Sequence, residues 1–293
     1  MDGLQLLQEN SALFLSVIFV VGLLVGSFLN VVAYRLPVMM ERRWRQECQD
    51  YLGQAGETDP PARAEPFNLM WPRSRCGHCG HMISWWENIP VLSYLFLRGR
   101  CRGCQQKISV LYPLVEVITA VISVVVAWRF GFSLQTVAAL LLTWALIPAC
   151  LIDLKYMLLP DSILLPWLWL GLLLNVVGVF TSLESAVVGA AGGYLILWSV
   201  YQVFKALTGK EGMGFGDFKL LALIGAWVGV EYLPMVILFS SLSGAIVGLS
   251  LVVFRRHSRE TPIPFGPYLA MGGWVALVWG PDISQKYLQI LHY

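Results

Sequence analysis

Residues 212–230 read GMGFGDFKLLALIGAWVGV. From Phe218 to Val230 the stretch carries a single charge, Lys219, and is apolar enough for lipid. Ahead of it stands a carboxylate, Asp217, on a backbone loosened by Gly212, Gly214 and Gly216. An ionisable group at the mouth of an apolar run is costly if that run lies in a bilayer, and such groups mark functional sites by default. Whether the run is membrane-embedded therefore decides both fold and chemistry.

The rest of the chain answers in favour of a membrane. Hydrophobic residues make up 57% of the 293 and charged residues 13%, with a mean hydropathy of +0.66; soluble domains carry about 25% charge. Apolar runs near the ~20 residues needed to cross a bilayer recur at 11–33, 110–128, 134–152, 163–180, 186–204, 218–230, 233–254 and 264–279. The pattern predicts an all-α polytopic membrane protein of about eight transmembrane helices. Asp2 and Glu9 precede the first run without any Lys or Arg, which argues against a cleaved signal peptide. Placing both termini outside leaves 18 of the 20 Lys and Arg on the cytoplasmic side, with only Arg129 and Lys286 outside. That is the asymmetry the positive-inside rule asks for. The net charge of +2 says nothing as a total. No glycine-rich nucleotide fingerprint precedes a plausible strand, no repeat of fixed period is evident, and no nucleic-acid partner is expected.

The long polar connection, residues 37–109, holds CGHC (Cys76, Cys79) and CRGC (Cys101, Cys104). Paired C-x-x-C units at this spacing are the signature of a tetrahedral zinc ribbon. In a reducing cytoplasm the alternative is four free or redox-active thiols rather than two disulfides. Four thiolates fill the coordination sphere, so the metal reads as structural. His78 and His81 are then bystanders, and Cys48 and Cys150 are isolated loop and core residues.

Four acids lie in or beside the spans on the cytoplasmic half: Glu116, Asp153, Asp161 and Asp217. Asp161, after Pro160 and ahead of an apolar helix, reads as an N-cap. Glu116 reads either as the partner of a loop arginine or as the wall of a polar pocket. Asp153 ends an inward-running helix and Asp217 begins an outward-running one, so both reach the same cytoplasmic level. Thirteen residues separate Asp217 from Glu231; as helix they rise ~20 Å against a hydrocarbon thickness of ~30 Å, which sets Asp217 in a hollow below the inner surface. Irregular glycine-rich backbone at that depth is tolerable only where it lines a cavity. Two carboxylates sharing a cavity cannot both ionise cheaply, so the pair holds one proton. Such a pair fits aspartic-protease chemistry, and it fits a cation site in an ion transporter as well. The outer half of the spans lacks acids, which favours the protease.

GMGFGD matches the G-x-G-D motif of intramembrane aspartyl proteases. With GSFLNVVAYRLP (26–37), the paired C-x-x-C loop, WENIPVLSYL, YPLVE, LIDLKYMLLPD and TPIPFGPYLA, the chain resembles the bacterial type IV prepilin peptidases from about residue 22 to 280. The resemblance is to the longer, bifunctional members that carry the cysteine loop. It implies cleavage of the basic leader from prepilins and pseudopilins, followed by N-methylation of the exposed residue with S-adenosylmethionine. It implies Asp153 and Asp217 as the catalytic aspartates and Cys76, Cys79, Cys101 and Cys104 as the cysteine tetrad. The expected organisation is a first transmembrane helix (1–36), a cytoplasmic loop with the zinc site (37–109) and a seven-helix membrane domain carrying the protease site (110–293). The expected location is the bacterial inner membrane. No local motif marks the methyl donor's site; the loop is its host by elimination, with Glu116 or Glu87 near the amine or the donor. A monofunctional peptidase with a docking loop remains an alternative, and oligomeric state is not set by the sequence.

Overall fold

The computed structural model describes residues 3–52, 67–255 and 263–291. These form ten α-helices, two short 3-10 turns and two isolated β-bridges. The chain divides into two compact units, Met1–Val125 and Val126–Tyr293.

In the first unit, α1 (Gly3–Glu9) leads into α2 (Ser11–Tyr51), whose start is capped by Asn10 Oδ1 accepting from the Leu13 amide at 3.0 Å. With 41 residues, α2 is ~60 Å long, twice the hydrocarbon thickness. It runs unbroken through Pro37, past the expected end of the first span, and its second half carries the polar stretch ERRWRQECQDY. Its apolar half packs on α4 (Leu111–Phe130) through small residues one turn apart. A Cβ on Gly22 would sit 2.7 Å from Ala120 Cα, and one on Gly26 would sit 2.8 Å from Glu116 Cα. Such close backbone approach is how helices associate where lipid offers no hydrophobic drive. The buried Thr119 and Ser123 hydroxyls bond back to carbonyls of their own helix at 2.7 Å. Between α2 and α4 lie the cysteine segment, a 3-10 turn (Trp85–Asn88) and α3 (Leu92–Phe96).

The second unit comprises α5 (Leu134–Tyr156), α6 (Asp161–Val176), α7 (Leu183–Thr208), α8 (Phe215–Val228), α9 (Leu233–Arg255) and α10 (Gly266–Leu291). Its axis is α8. That helix is buried from Asp217 to Val228 with Lys219 as the one partly exposed residue, and it packs against α6, α7 and α10. A helix that is apolar all round belongs inside a bundle. Glycines on α7 let it approach α8: a Cβ on Gly193 would meet the Leu221 carbonyl at 2.6 Å. Trp227 is fully buried, and its indole N–H donates to the Trp167 carbonyl at 2.8 Å.

Every expected span coincides with a helix, but their lengths differ. Five segments are long and apolar enough to cross a bilayer: Ser11–Tyr51, Leu111–Phe130, Leu134–Tyr156, Leu183–Thr208 and Val230–Leu251. Of the other three, α6 has 16 residues and α8 only 14, while α10 has 26. At ~21 Å, α8 is shorter than a ~30 Å hydrocarbon core.

Candidate active site and metal centre

Asp153 lies in the last turn of α5, which ends at Met157 in a left-handed conformation with its amide bonded to the Asp153 carbonyl at 2.9 Å. Asp217 lies in the first turn of α8, its amide bonded to the Gly214 carbonyl at 3.2 Å. Both are buried, at 5% and 7% exposure. A third helix end joins them. Gly266, at the start of α10, donates its amide to Asp153 Oδ2 at 3.1 Å.

Leu159 ties the three ends together. A Cβ on Gly216 would meet Leu159 Cβ at 2.7 Å, and one on Gly266 would meet Leu159 Cδ1 at 3.2 Å and Asp153 Oδ2 at 2.6 Å. One leucine therefore lies against both the residue preceding Asp217 and the residue bonded to Asp153. The amino-terminal ends of α8 and α10 bring positive helix-dipole ends to this cluster, favourable beside carboxylates. Two carboxyl groups brought to one enclosed cluster cannot both ionise cheaply.

Asp161 is not the N-cap expected for it. Pro160 holds that position, and Asp161 is the first residue of α6. Both its oxygens take Lys219 Nζ at 2.7 Å, joining α6 to α8 two residues beyond Asp217. The sequence reading missed this pair and also missed Gly266. The signal for Gly266 was the glycine of PFGP immediately before an apolar run; the signal for Lys219 was a lone cation in an otherwise uncharged one.

In the first unit the four cysteine sulfurs lie within 4.8 Å of one another, with Cys76–Cys104 and Cys79–Cys101 each at 3.9 Å. A tetrahedron of thiolates ~2.3 Å from a zinc ion has edges of ~3.8 Å, so the cluster fits such an ion, and 3.9 Å is far beyond a disulfide bond. The two knuckles are copies of one backbone pattern. Cys76 donates its amide to the His81 carbonyl at 2.9 Å, and Cys101 donates to Gln106 at 2.8 Å. Bridges Arg75–Met82 and Arg100–Lys107 close the two turns. The paired C-x-x-C units of the sequence are thus matched by a shared set of backbone bonds.

The thiols are unequal. Amides of Cys79 and then His78 pull the Cys76 thiol down to about 6. Cys79 accepts from the His81 amide, which lowers it, yet desolvation and the neighbouring thiols push it up to about 11. Four adjacent sulfurs cannot all ionise without a cation among them, which is the state a metal requires.

Neither histidine is in the cluster. His81 Nε2 faces Glu87 at 3.4 Å. Glu87 accepts the Ser84 amide at 2.8 Å, and this bond, followed by the nearby imidazole, holds its carboxyl below the usual range. Among the described residues Glu116 pairs with no arginine. It accepts the amide of Val91 at 2.7 Å, fixing a residue at φ +59° that a β-branched side chain rarely adopts. Among the described residues the buried arginine is Arg35 of α2, whose guanidinium donates to the carbonyls of Asn68 at 2.9 Å and Pro72 at 2.7 Å.

A helical membrane protein with an enclosed carboxylate pair at converging helix ends, and with a separate four-thiol centre, defines a narrow class. Residues 20–130 match the bacterial peptidase A24 N-terminal domain, and residues 140–249 match the type IV leader peptidase family. The chain is 56% identical over 277 residues to a protein of Aeromonas hydrophila named prepilin leader peptidase/N-methyltransferase, covering 94% of each. Proteins of the same name from Pseudomonas putida and Pseudomonas aeruginosa are 55% and 53% identical; the match covers 98% of each chain for the first, and 99% of this chain and 98% of the relative for the second. No solved structure matches. The chain belongs to the type IV leader peptidase family.

Proposed function

We propose that this chain is a bifunctional enzyme of the bacterial inner membrane. It cleaves the basic leader from type IV prepilins and pseudopilins and then methylates the new amino terminus with S-adenosylmethionine. The observation that carries this reading is the pair Asp153 and Asp217, buried at converging helix ends in a chain whose relatives carry both activities in their names.

In this reading one carboxylate takes a proton from water, the oxygen adds to the scissile carbonyl, and the other carboxyl protonates the carbonyl oxygen. Collapse of the tetrahedral adduct breaks the C–N bond, with a proton passing to the leaving amine. The Gly266 amide keeps Asp153 aimed while the proton moves. When bound, S-adenosylmethionine would supply the methyl group: its S–CH3 bond would break as the N–C bond to the freed amine forms, the neutral thioether leaving and the amine losing a proton.

Both termini lie outside and the loop lies in the cytoplasm, as the distribution of Lys and Arg favours. The four cysteines hold a structural zinc ion. Residues 1–36 anchor the chain, 37–109 form the zinc-bearing loop, and 110–293 carry the protease. Local acid beside the membrane attracts a leader rich in Lys and Arg.

The test is purified protein with an intact prepilin and labelled S-adenosylmethionine, scored for both products. Asp153→Asn and Asp217→Asn should each lose about 10²–10⁴-fold in cleavage while remaining inserted. Near-normal cleavage by either variant would remove that residue from the pair, and cleavage by the wild type without methyl incorporation would sink the transferase half.

A further inference from the structure

The segment just after the first knuckle carries an exposed face that neither site uses. α3 buries none of its five residues, and it turns Leu92, Leu95 and Phe96 outward at i, i+3 and i+4. It packs on the 3-10 turn that begins with Trp85, so these side chains share one region. Trp85 and Phe96 are 81% and 82% exposed. Among the described residues, nothing in this unit covers these side chains.

Charge identifies the missing counter-surface. From Asn88 to Val115 the chain carries Arg98, Arg100, Arg102 and Lys107 and no acid. Arg102 lies over the Trp86 ring at 4.9 Å, a cation held beside an aromatic face. The segment then enters α4, a candidate membrane span, through the exposed Val110, Leu111 and Tyr112. Aromatic anchors flanked by basic residues immediately beside a span are the composition that the headgroup layer selects.

We propose that the segment 85–107 docks on the anionic headgroup surface of the bilayer that α4 enters, with Trp85, Leu92, Leu95 and Phe96 inserted and Arg98, Arg100, Arg102 and Lys107 facing lipid phosphates. The docking holds the four-thiol centre against the membrane edge. It does not depend on what the enzyme cleaves.

Full-length protein in phosphatidylglycerol nanodiscs and in phosphatidylcholine nanodiscs, read by amide hydrogen exchange across residues 82–108, tests this. Each basic residue near an anionic surface strengthens attachment by about fivefold, so exchange should be at least about tenfold slower in phosphatidylglycerol, and high salt should erase the difference. Leu95→Glu with Phe96→Glu should abolish the protection. Should that variant misfold, replacing all four basic residues, Arg98→Gln, Arg100→Gln, Arg102→Gln and Lys107→Gln, should reduce exchange protection in phosphatidylglycerol to the phosphatidylcholine level. Equal protection in both lipids, insensitive to salt, would mean that protein covers this face and would overturn the proposal, as would the absence of protection in phosphatidylglycerol.

Discussion

Replacing Gly266 by alanine places a methyl group 2.6 Å from Asp153 Oδ2 and 3.2 Å from Leu159 Cδ1. Ordinary contact begins at 3.4 Å, so the carboxylate or the start of α10 must retreat by about 0.8 Å, and a misplacement near 1 Å costs on the order of 10²-fold in rate. The 3.1 Å bond from the Gly266 amide is disturbed by the same movement. A hydrogen bond to a charged group is worth about 1.5–3 kcal/mol, or roughly 10- to 150-fold. Two separate estimates thus agree on a loss of about 10²-fold for Gly266→Ala. The assay is single-turnover cleavage of an intact precursor in detergent, with a thermal melt to establish folding. Gly248→Ala is the control, since its added Cβ meets only Ile263 Cδ1 at 3.4 Å. Wild-type cleavage by a folded Gly266→Ala would refute the claim that this amide positions Asp153.

Metal analysis should find one zinc per chain in the wild type and none in Cys76→Ser or Cys101→Ser; a fully active, metal-free wild type would remove the structural-zinc reading. The half-exposed Asp161–Lys219 pair should be worth at most about 1 kcal/mol. Asp161→Asn should therefore cost only a few-fold in cleavage, and a hundredfold loss would mean the pair does more than clamp α6 to α8. Methyl transfer needs no proton-sharing carboxylates, so Asp153→Asn should still methylate a pre-cleaved pilin peptide, whereas Cys76→Ser should lose that reaction as its loop loosens. Loss of methylation in Asp153→Asn would place both reactions at one centre.

What the sequence made legible follows from which groups do the work. Apolar runs are legible because lipid enforces them residue by residue, and the tetrad is legible because metal binding uses side chains at fixed spacing. The twin knuckles share backbone bonds, while the residues that follow the cysteines differ: Gly80 and His81 in one, Gln105 and Gln106 in the other. The letters therefore show the likeness only at the cysteines. Gly266 acts through its amide, and Asp161 meets Lys219 across 58 residues of chain. An acid after proline at a helix start looks like a cap, and only the arrival of α8 gives it another partner. For Glu116 the letters leave a loop arginine and a polar pocket equally open, and the partner it finds is a backbone amide at the strained turn of Val91.

The shortness of α8 then explains why the carboxylate pair sits where it does. A helix enclosed by α6, α7 and α10 need not match the bilayer, because its ends meet protein rather than lipid. Its 14 residues rise ~21 Å, and Asp217, in the first turn, lies only ~18 Å along the axis from Gly229, well short of a ~30 Å hydrocarbon core. α6, α7 and α10 pack on its flanks, and at its amino-terminal end Gly212 and Gly216 are packed against Phe204 and Leu159, while a Cβ on Gly214 would meet only Asp217 Oδ2 at 3.8 Å. A substrate whose scissile bond lies between a basic leader and an apolar helix already has that bond near this depth. The leader stays with the headgroups, the apolar helix stays in lipid, and only the junction need extend into the hollow.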